Sequence, residues 1–320
     1  MSTAPSRVRD DETPGYPGVS FGRTADDLLA ALVCEHAFAM VPARDGRHYL
    51  VTGWRIRGPM SEWTRDDFYG HSGDLADEAA FRAKVLEQAE HSQEKIALGR
   101  REERSMANTP WGPSQGATVY AEGVVFHSTA GHGGFLLSPE RNSKVHPALR
   151  VTGGAYEEDE VWAIVAFTFP HLFTSFEGRC AAKTMQDSFP DAWEAITGTV
   201  LQPGESRKKD ERAFHANHAD DWIVVSAITS DHAKGFVEVI ATPGGRHGPG
   251  TEQRRFLVPS AEYEIGRFGF VIDPERHAVY GGPSSFVGWQ GRAAKWSPKI
   301  VACSSCAWRR LAGKPSASST

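Results

Sequence analysis

No apolar run in this 320-residue chain approaches the ~20 residues that a helix needs to cross a bilayer. Residues Met1 to Pro17 mix Arg7, Arg9, Asp10, Asp11 and Glu12 with prolines, and they lack the apolar block of a secretory signal. The expectations are no membrane partner and a cytoplasmic location. Cysteine is scarce. Four in the whole chain do not make a disulfide scaffold, and a reducing compartment is the simpler expectation. Also missing are a Gly-x-Ser-x-Gly elbow, a Walker loop, a dinucleotide fingerprint and the paired signature of the zinc deaminases. No motif therefore requires a cofactor.

Acidic residues are missing from one stretch. Between Gln290 and Thr320 there is no Asp or Glu, while Arg292, Lys295, Lys299, Arg309, Arg310 and Lys314 give it a charge of +6. With those six removed from the net −5, residues 1–289 carry −11. Trp289, Trp296 and Trp308 interleave the cations. Cations meet phosphates while an indole stacks on a base, so Arg292, Lys295, Trp296, Lys299, Trp308, Arg309 and Arg310 are the expected nucleic-acid contacts. The plainer alternative is a basic tail that docks on the acidic body of its own chain. Cys303 and Cys306 have the spacing of half a zinc site, but no second pair completes it.

The composition that is present, 40% hydrophobic and 23% charged, is enough for a sizeable core. The pattern predicts an α+β fold: mixed helices and short antiparallel sheets in two or three small domains. A polar, proline-bearing segment 1–20 is expected to be disordered. An α+β region follows over 21–105. Thr24 is placed to cap a helix carrying Leu28, Leu29, Leu32 and Val33. Strands are expected over Phe38–Val41 and His48–Ile56, and a long helix from Leu75 to Arg100. A central α+β domain spans 106–198. The charged segment 199–213 reads as a linker, 214–289 as a β-rich domain with strands near 222–228, 236–241, 255–258 and 268–272, and 290–320 as the basic tail.

The central region carries the chemistry. Strands are expected over Thr118–His127 and Phe135–Leu137, with the loop Ser128–Gly134 between them. That loop holds His132 among Gly131, Gly133 and Gly134, whose free N–H groups can form an anion-binding concavity. A plain hairpin with an exposed histidine has the same spacing. Ser138 and Pro139 open a short helix as cap and first residue. Tyr156 to Phe169 reads as a helix, or as a buried strand over Val161–Phe169. As a helix it puts four acids in its first turn, where the dipole alone favours them. Glu157 and Glu158 nevertheless align with the apolar stripe of Trp162, Ile164, Val165 and Phe169, and an inward carboxylate must be paired, liganded or protonated. Helices over 173–188 and 191–196 complete the domain, with Gly198 as the end cap.

The runs Thr109-Pro110-Trp111-Gly112, Ser128-Thr129-Ala130-Gly131-His132-Gly133-Gly134, Tyr156-Glu157-Glu158-Asp159 and Asp191-Ala192-Trp193-Glu194 resemble an uncharacterised domain of alphaproteobacterial plasmids, phages and genomes. Segments such as Phe268-Gly269-Phe270-Val271-Ile272-Asp273 resemble the tail of the same proteins, so the resemblance covers about residues 106–288. It implies association with a mobile element and no particular chemistry.

Two expectations follow. One is a non-enzymatic accessory protein that binds a host protein or nucleic acid, for example to blunt restriction. The other is a hydrolase or transferase in which His132 is base or metal ligand and Glu157 with Glu158 supplies a carboxylate function, with a divalent metal as the cofactor such a set would take. The distance from His132 to Glu157 and Glu158 discriminates between them.

Overall fold

The structure, a computed structural model, describes residues 11–12 and 18–286. The fold is α+β, with antiparallel sheets and, among the described residues, six α-helices. None of these helices is long and apolar enough to cross a membrane. The described residues divide into two compact units, one ending at Thr184 and the other beginning at Met185.

The first unit opens with a six-stranded meander: β1 (Asp11–Glu12), β2 (Val19–Arg23), β3 (Leu29–Val33), β4 (His36–Pro42), β5 (His48–Trp54) and β6 (Asp74–Leu75). Every strand pairs with its sequence neighbour, through short hairpins from β2 to β5 and through a longer connection between β5 and β6. Within the segment expected to be disordered, Asp11 and Glu12 form a strand paired with Phe21 and Ser20. The helix expected around Leu28–Val33 is instead β3. Its two faces feed two cores, Ala31 and Val33 on one and Ala30 on the other, so a doubly buried strand mimics a helical run of apolar residues. Thr24 does cap, but it caps a turn: its hydroxyl accepts the Leu28 N–H at 2.9 Å. Helix α1 (Glu78–Leu98) starts on Asp77, which accepts from Ala80 N–H, and stops at left-handed Gly99. It lays Phe81, Val85 and Ala89 against Val19, Phe21 and Phe38 of the sheet.

A second sheet follows, in the order β13-β12-β11-β10-β7. Its strands are β7 (Arg101–Glu103), β10 (Gly116–Ala121), β11 (Val124–Ser128), β12 (Gly133–Leu137) and β13 (Ala155–Glu157); β8 (Asn108–Thr109) and β9 (Gly112–Pro113) form a separate two-stranded ribbon. The single strand expected over Thr118–His127 is two, split at Gly123, whose φ of +73° suits a tight turn. Helix α2 (Pro139–Asn142) begins at Ser138 and Pro139 as its sequence indicates. The expected helix at Tyr156 does not begin there. Tyr156 and Glu157 belong to β13, and α3 (Trp162–Thr168) starts after the acids. Pairing with β12 and burial of the Tyr156 ring outweigh the favourable dipole term of acids at a helix start.

Helix α4 (Ser175–Ser188) follows. In its first turn Glu177 is buried and receives both Nη atoms of Arg100, one at 2.8 Å. Arg100 also donates to the Leu172 carbonyl at 2.7 Å and lies 4.0 Å over the Tyr120 ring.

The second unit contains α5 (Pro190–Thr197), ended by left-handed Gly198, and α6 (Arg207–Asn217). The latter falls largely where composition indicated a linker. Ser206 caps it, and its charges are spent on α5 through Lys209–Glu194 and a bidentate Arg212–Asp191 pair, so polarity here marks ion pairing and not disorder. The sheet runs β14 (Trp222–Thr229), β15 (Phe236–Pro243), β16 (Arg254–Pro259) and β17 (Ala278–Val279). The strand expected at 268–272 is not a sheet member. It meets β14 through a single bridge, Ile223 to Val271. Residues 290–320, including Cys303 and Cys306, lie outside the described residues.

Candidate functional site

The site is built on the cross-strand rows of the second sheet. Directly opposed residues of antiparallel strands share a face. Register places Glu103, Ala117, His127, Gly134 and Glu157 in one such row. Glu157 thus reaches its position by sheet register, and not through a helical stripe.

His132 arrives from the hairpin between β11 and β12. Thr129 fixes that bend. Its N–H donates to the His132 carbonyl at 2.9 Å, and its hydroxyl accepts the His132 N–H at 3.2 Å. The same hydroxyl lies 3.4 Å from the Trp111 carbonyl, which ties the hairpin to the β8–β9 ribbon. In that ribbon Thr109 accepts from Trp111 N–H and donates to the Gly112 carbonyl, holding the indole in place.

His132 Nδ1 stands 3.4 Å from Glu157 Oε1. One ligand atom from each of His132, Glu157 and Glu158 can be chosen so that all lie within 4.8 Å of one another. Glu157 Oε2 accepts the Asp159 N–H at 2.8 Å, while Glu157 Oε1 is shielded from solvent and has no hydrogen-bond partner. A carboxylate oxygen in that condition costs about 1–3 kcal/mol or more unless something electropositive meets it. Glu158 continues the ladder by donating its N–H to the Gly133 carbonyl at 3.0 Å. The His132 side chain is 55% exposed, so a molecule from solvent can approach the cluster.

Gly133 and Gly134 serve space, not φ, whereas a side chain at Gly131 would meet nothing within 4 Å. None of Gly131, Gly133 and Gly134 has a positive φ, and the last two lie within β12, which leaves Gly131 alone of the three in the loop. A methyl at 134 would stand 2.5 Å from Trp111 Cη2, and one at 133 would stand 2.7 Å from Glu158 Oε2 and 2.8 Å from the His127 carbonyl. Trp111 is the residue that sequence reasoning quoted in a motif without giving it a place in the site. Beside it, His127 is buried, with Nδ1 3.1 Å from Ser114 Oγ, and burial holds its pKa below the ordinary imidazole value.

The nucleic-acid contacts expected from the sequence, Arg292, Lys295, Trp296, Lys299, Trp308, Arg309 and Arg310, lie outside the described residues. A family model described as a domain of unknown function (DUF7007) matches residues 104–219, a stretch that contains the whole His132, Glu157 and Glu158 cluster. Searches of curated proteins and of solved structures return no match.

Proposed function

We propose that His132, Glu157 and Glu158 hold a divalent cation and that the protein is a metal-assisted hydrolase or transferase. The observation that carries this is the solvent-shielded Glu157 Oε1, which has no hydrogen-bond partner and lies 3.4 Å from His132 Nδ1. Two ligands of one tetrahedral zinc, with metal–ligand lengths near 2.0–2.2 Å, are separated by about 3.3–3.6 Å. An imidazole with two carboxylates suits the zinc and manganese class of ion. Three protein ligands leave a coordination position open, where such an ion acidifies a water or polarises a substrate oxygen. Trp111, half-buried beside the cluster, offers an apolar face to a substrate.

The test is a screen of purified full-length protein against chromogenic carboxylic and phosphoric esters with zinc or manganese supplied. Turnover that His132→Ala abolishes, on a chain that melts like the wild type, supports the assignment. Turnover unchanged in that variant excludes it.

The sequence supports a second role for the whole chain: an accessory protein of a mobile element that binds nucleic acid or a host protein, for instance against restriction. Its support is the motif resemblance and the +6 charge after residue 289 against −11 before it. Phosphate contacts make binding fall steeply with salt. Duplex and single-stranded DNA binding that weakens with salt and disappears on removing 290–320 supports this role, and a flat salt response removes its nucleic-acid form.

A further inference from the structure

Between the first sheet and α1 lies a cavity of about 50 Å³, lined by Val33, His36, Gln88, His91, Ser92 and Lys95 along with Phe38. At ~10–15 Å³ for each water, it has room for about three to five. That is comparable to one tetrahedral oxyanion.

The lining is electrostatically one-sided. It holds two imidazoles and an ammonium, and no carboxylate. Among the described residues, the side chains of Lys95 and His36 have no hydrogen-bond or ion-pair partner. The carboxylates nearest these groups are engaged elsewhere. Glu35 is bound to Arg55 at 2.8 Å, Glu94 accepts the N–H and hydroxyl of Ser175, and Glu177 is held by Arg100. Burial and the neighbouring Lys95 both hold the His36 pKa below its ordinary value.

One ring nitrogen of His91 is engaged. Its Nδ1 lies 2.8 Å from Thr174 Oγ1, and that oxygen already accepts the Glu177 N–H at 3.1 Å. With the Thr174 hydroxyl donating to Nδ1, the Nε2 of His91 carries the hydrogen and is free to donate. Glu177, held by Arg100, positions Thr174 in that arrangement.

We propose that this cavity is a binding site for a small oxyanion of the size of sulfate or phosphate, held by the Lys95 ammonium and the N–H groups of His36 and His91. A bound dianion favours the charged form of His36, so binding takes up a proton. The charged groups that face the two imidazoles are Glu35 and Lys95 for His36, and Glu177, Lys95, Arg100 and Glu94 for His91. His91 is engaged by Thr174 and His36 has no such side-chain partner, so the pH dependence is assigned to His36.

The test is a calorimetric titration of the full-length chain with sulfate at pH 5.5 and pH 8, between which its charge is constant, with a chelator present throughout. The expected result is one saturable site, about tenfold or more tighter at pH 5.5. Lys95→Met, at an exposed and unpartnered position, is expected to weaken it about tenfold or more without altering the melting temperature. His36→Gln is expected to flatten the pH dependence while leaving binding at pH 8 nearly intact. No saturable binding below ~50 mM, corresponding to less than about 2 kcal/mol of affinity, overturns the proposal. So does binding that both variants leave unchanged. The chelator separates this outcome from any result at His132.

Discussion

The Trp111 indole occupies the space that a side chain at position 134 would fill, with Cη2 2.5 Å from where that Cβ would stand. The β8–β9 ribbon can therefore close over β12 only if residue 134 is glycine. Gly134→Ala must move both the indole and the Tyr156 backbone. Urea unfolding of this variant is expected to show a loss of about 1–3 kcal/mol, the usual cost of overpacking. Removing the clash with Trp111→Ala in the same chain is expected to return only part of it, because the backbone contact persists.

Gly133 makes the corresponding allowance for Glu158, whose Oε2 would lie 2.7 Å from an added Cβ. Gly133→Ala is expected to push that carboxylate off the cluster. A calorimetric zinc titration should then show affinity lowered about tenfold or more, as for changes that misplace a ligand. Affinity equal to wild type in a folded variant would remove Glu158 from the cation site.

Arg100 and Glu177 form a buried ion pair, and neither can be removed alone without stranding the other. Burial opposes ionisation of Glu177, but the paired Arg100 outweighs it and holds the carboxyl below its ordinary value of 4.5. Glu177→Gln and Arg100→Met are each expected to cost about 3–5 kcal/mol in equilibrium unfolding. The double variant should cost less than the sum of the two.

The pH dependence of the second unit centres on Glu238, which is fully buried on β15. Burial raises its pKa, yet the Ser285 N–H, the Ser284 hydroxyl and Arg255 more than compensate and hold it below 4.5. A carboxyl depressed in the folded state contributes stability above its unfolded pKa and loses it as pH falls through the folded value. Melting curves between pH 3 and 6 are expected to show wild type losing stability on acidification more steeply than Glu238→Gln. Parallel curves would remove Glu238 from the acid response.

Much of the fold was legible in the sequence where one local signal sufficed: Ser138-Pro139 for α2, Gly198 for the end of α5, and the short apolar runs behind β4 and β5. It was misread where tertiary burial decides. Leu29–Val33 is apolar on both faces, so its spacing also fits a helix, and Tyr156-Glu157 is a strand only because β12 lies beside it. The members of the site were visible as glycines, one imidazole and two acids. The route that joins them was not, because register between β12 and β13 is non-local, and the need for glycine at 134 becomes visible only with the Trp111 ring in place.

The central claim is that His132, Glu157 and Glu158 share one cation, and uptake of zinc and manganese by the full-length chain tests it most directly. Calorimetry on wild type, His132→Ala and Glu157→Gln is expected to give one ion per chain for wild type. Each variant should bind at least about tenfold more weakly. A wild-type chain that takes up neither ion, or variants that bind as wild type does, would contradict it.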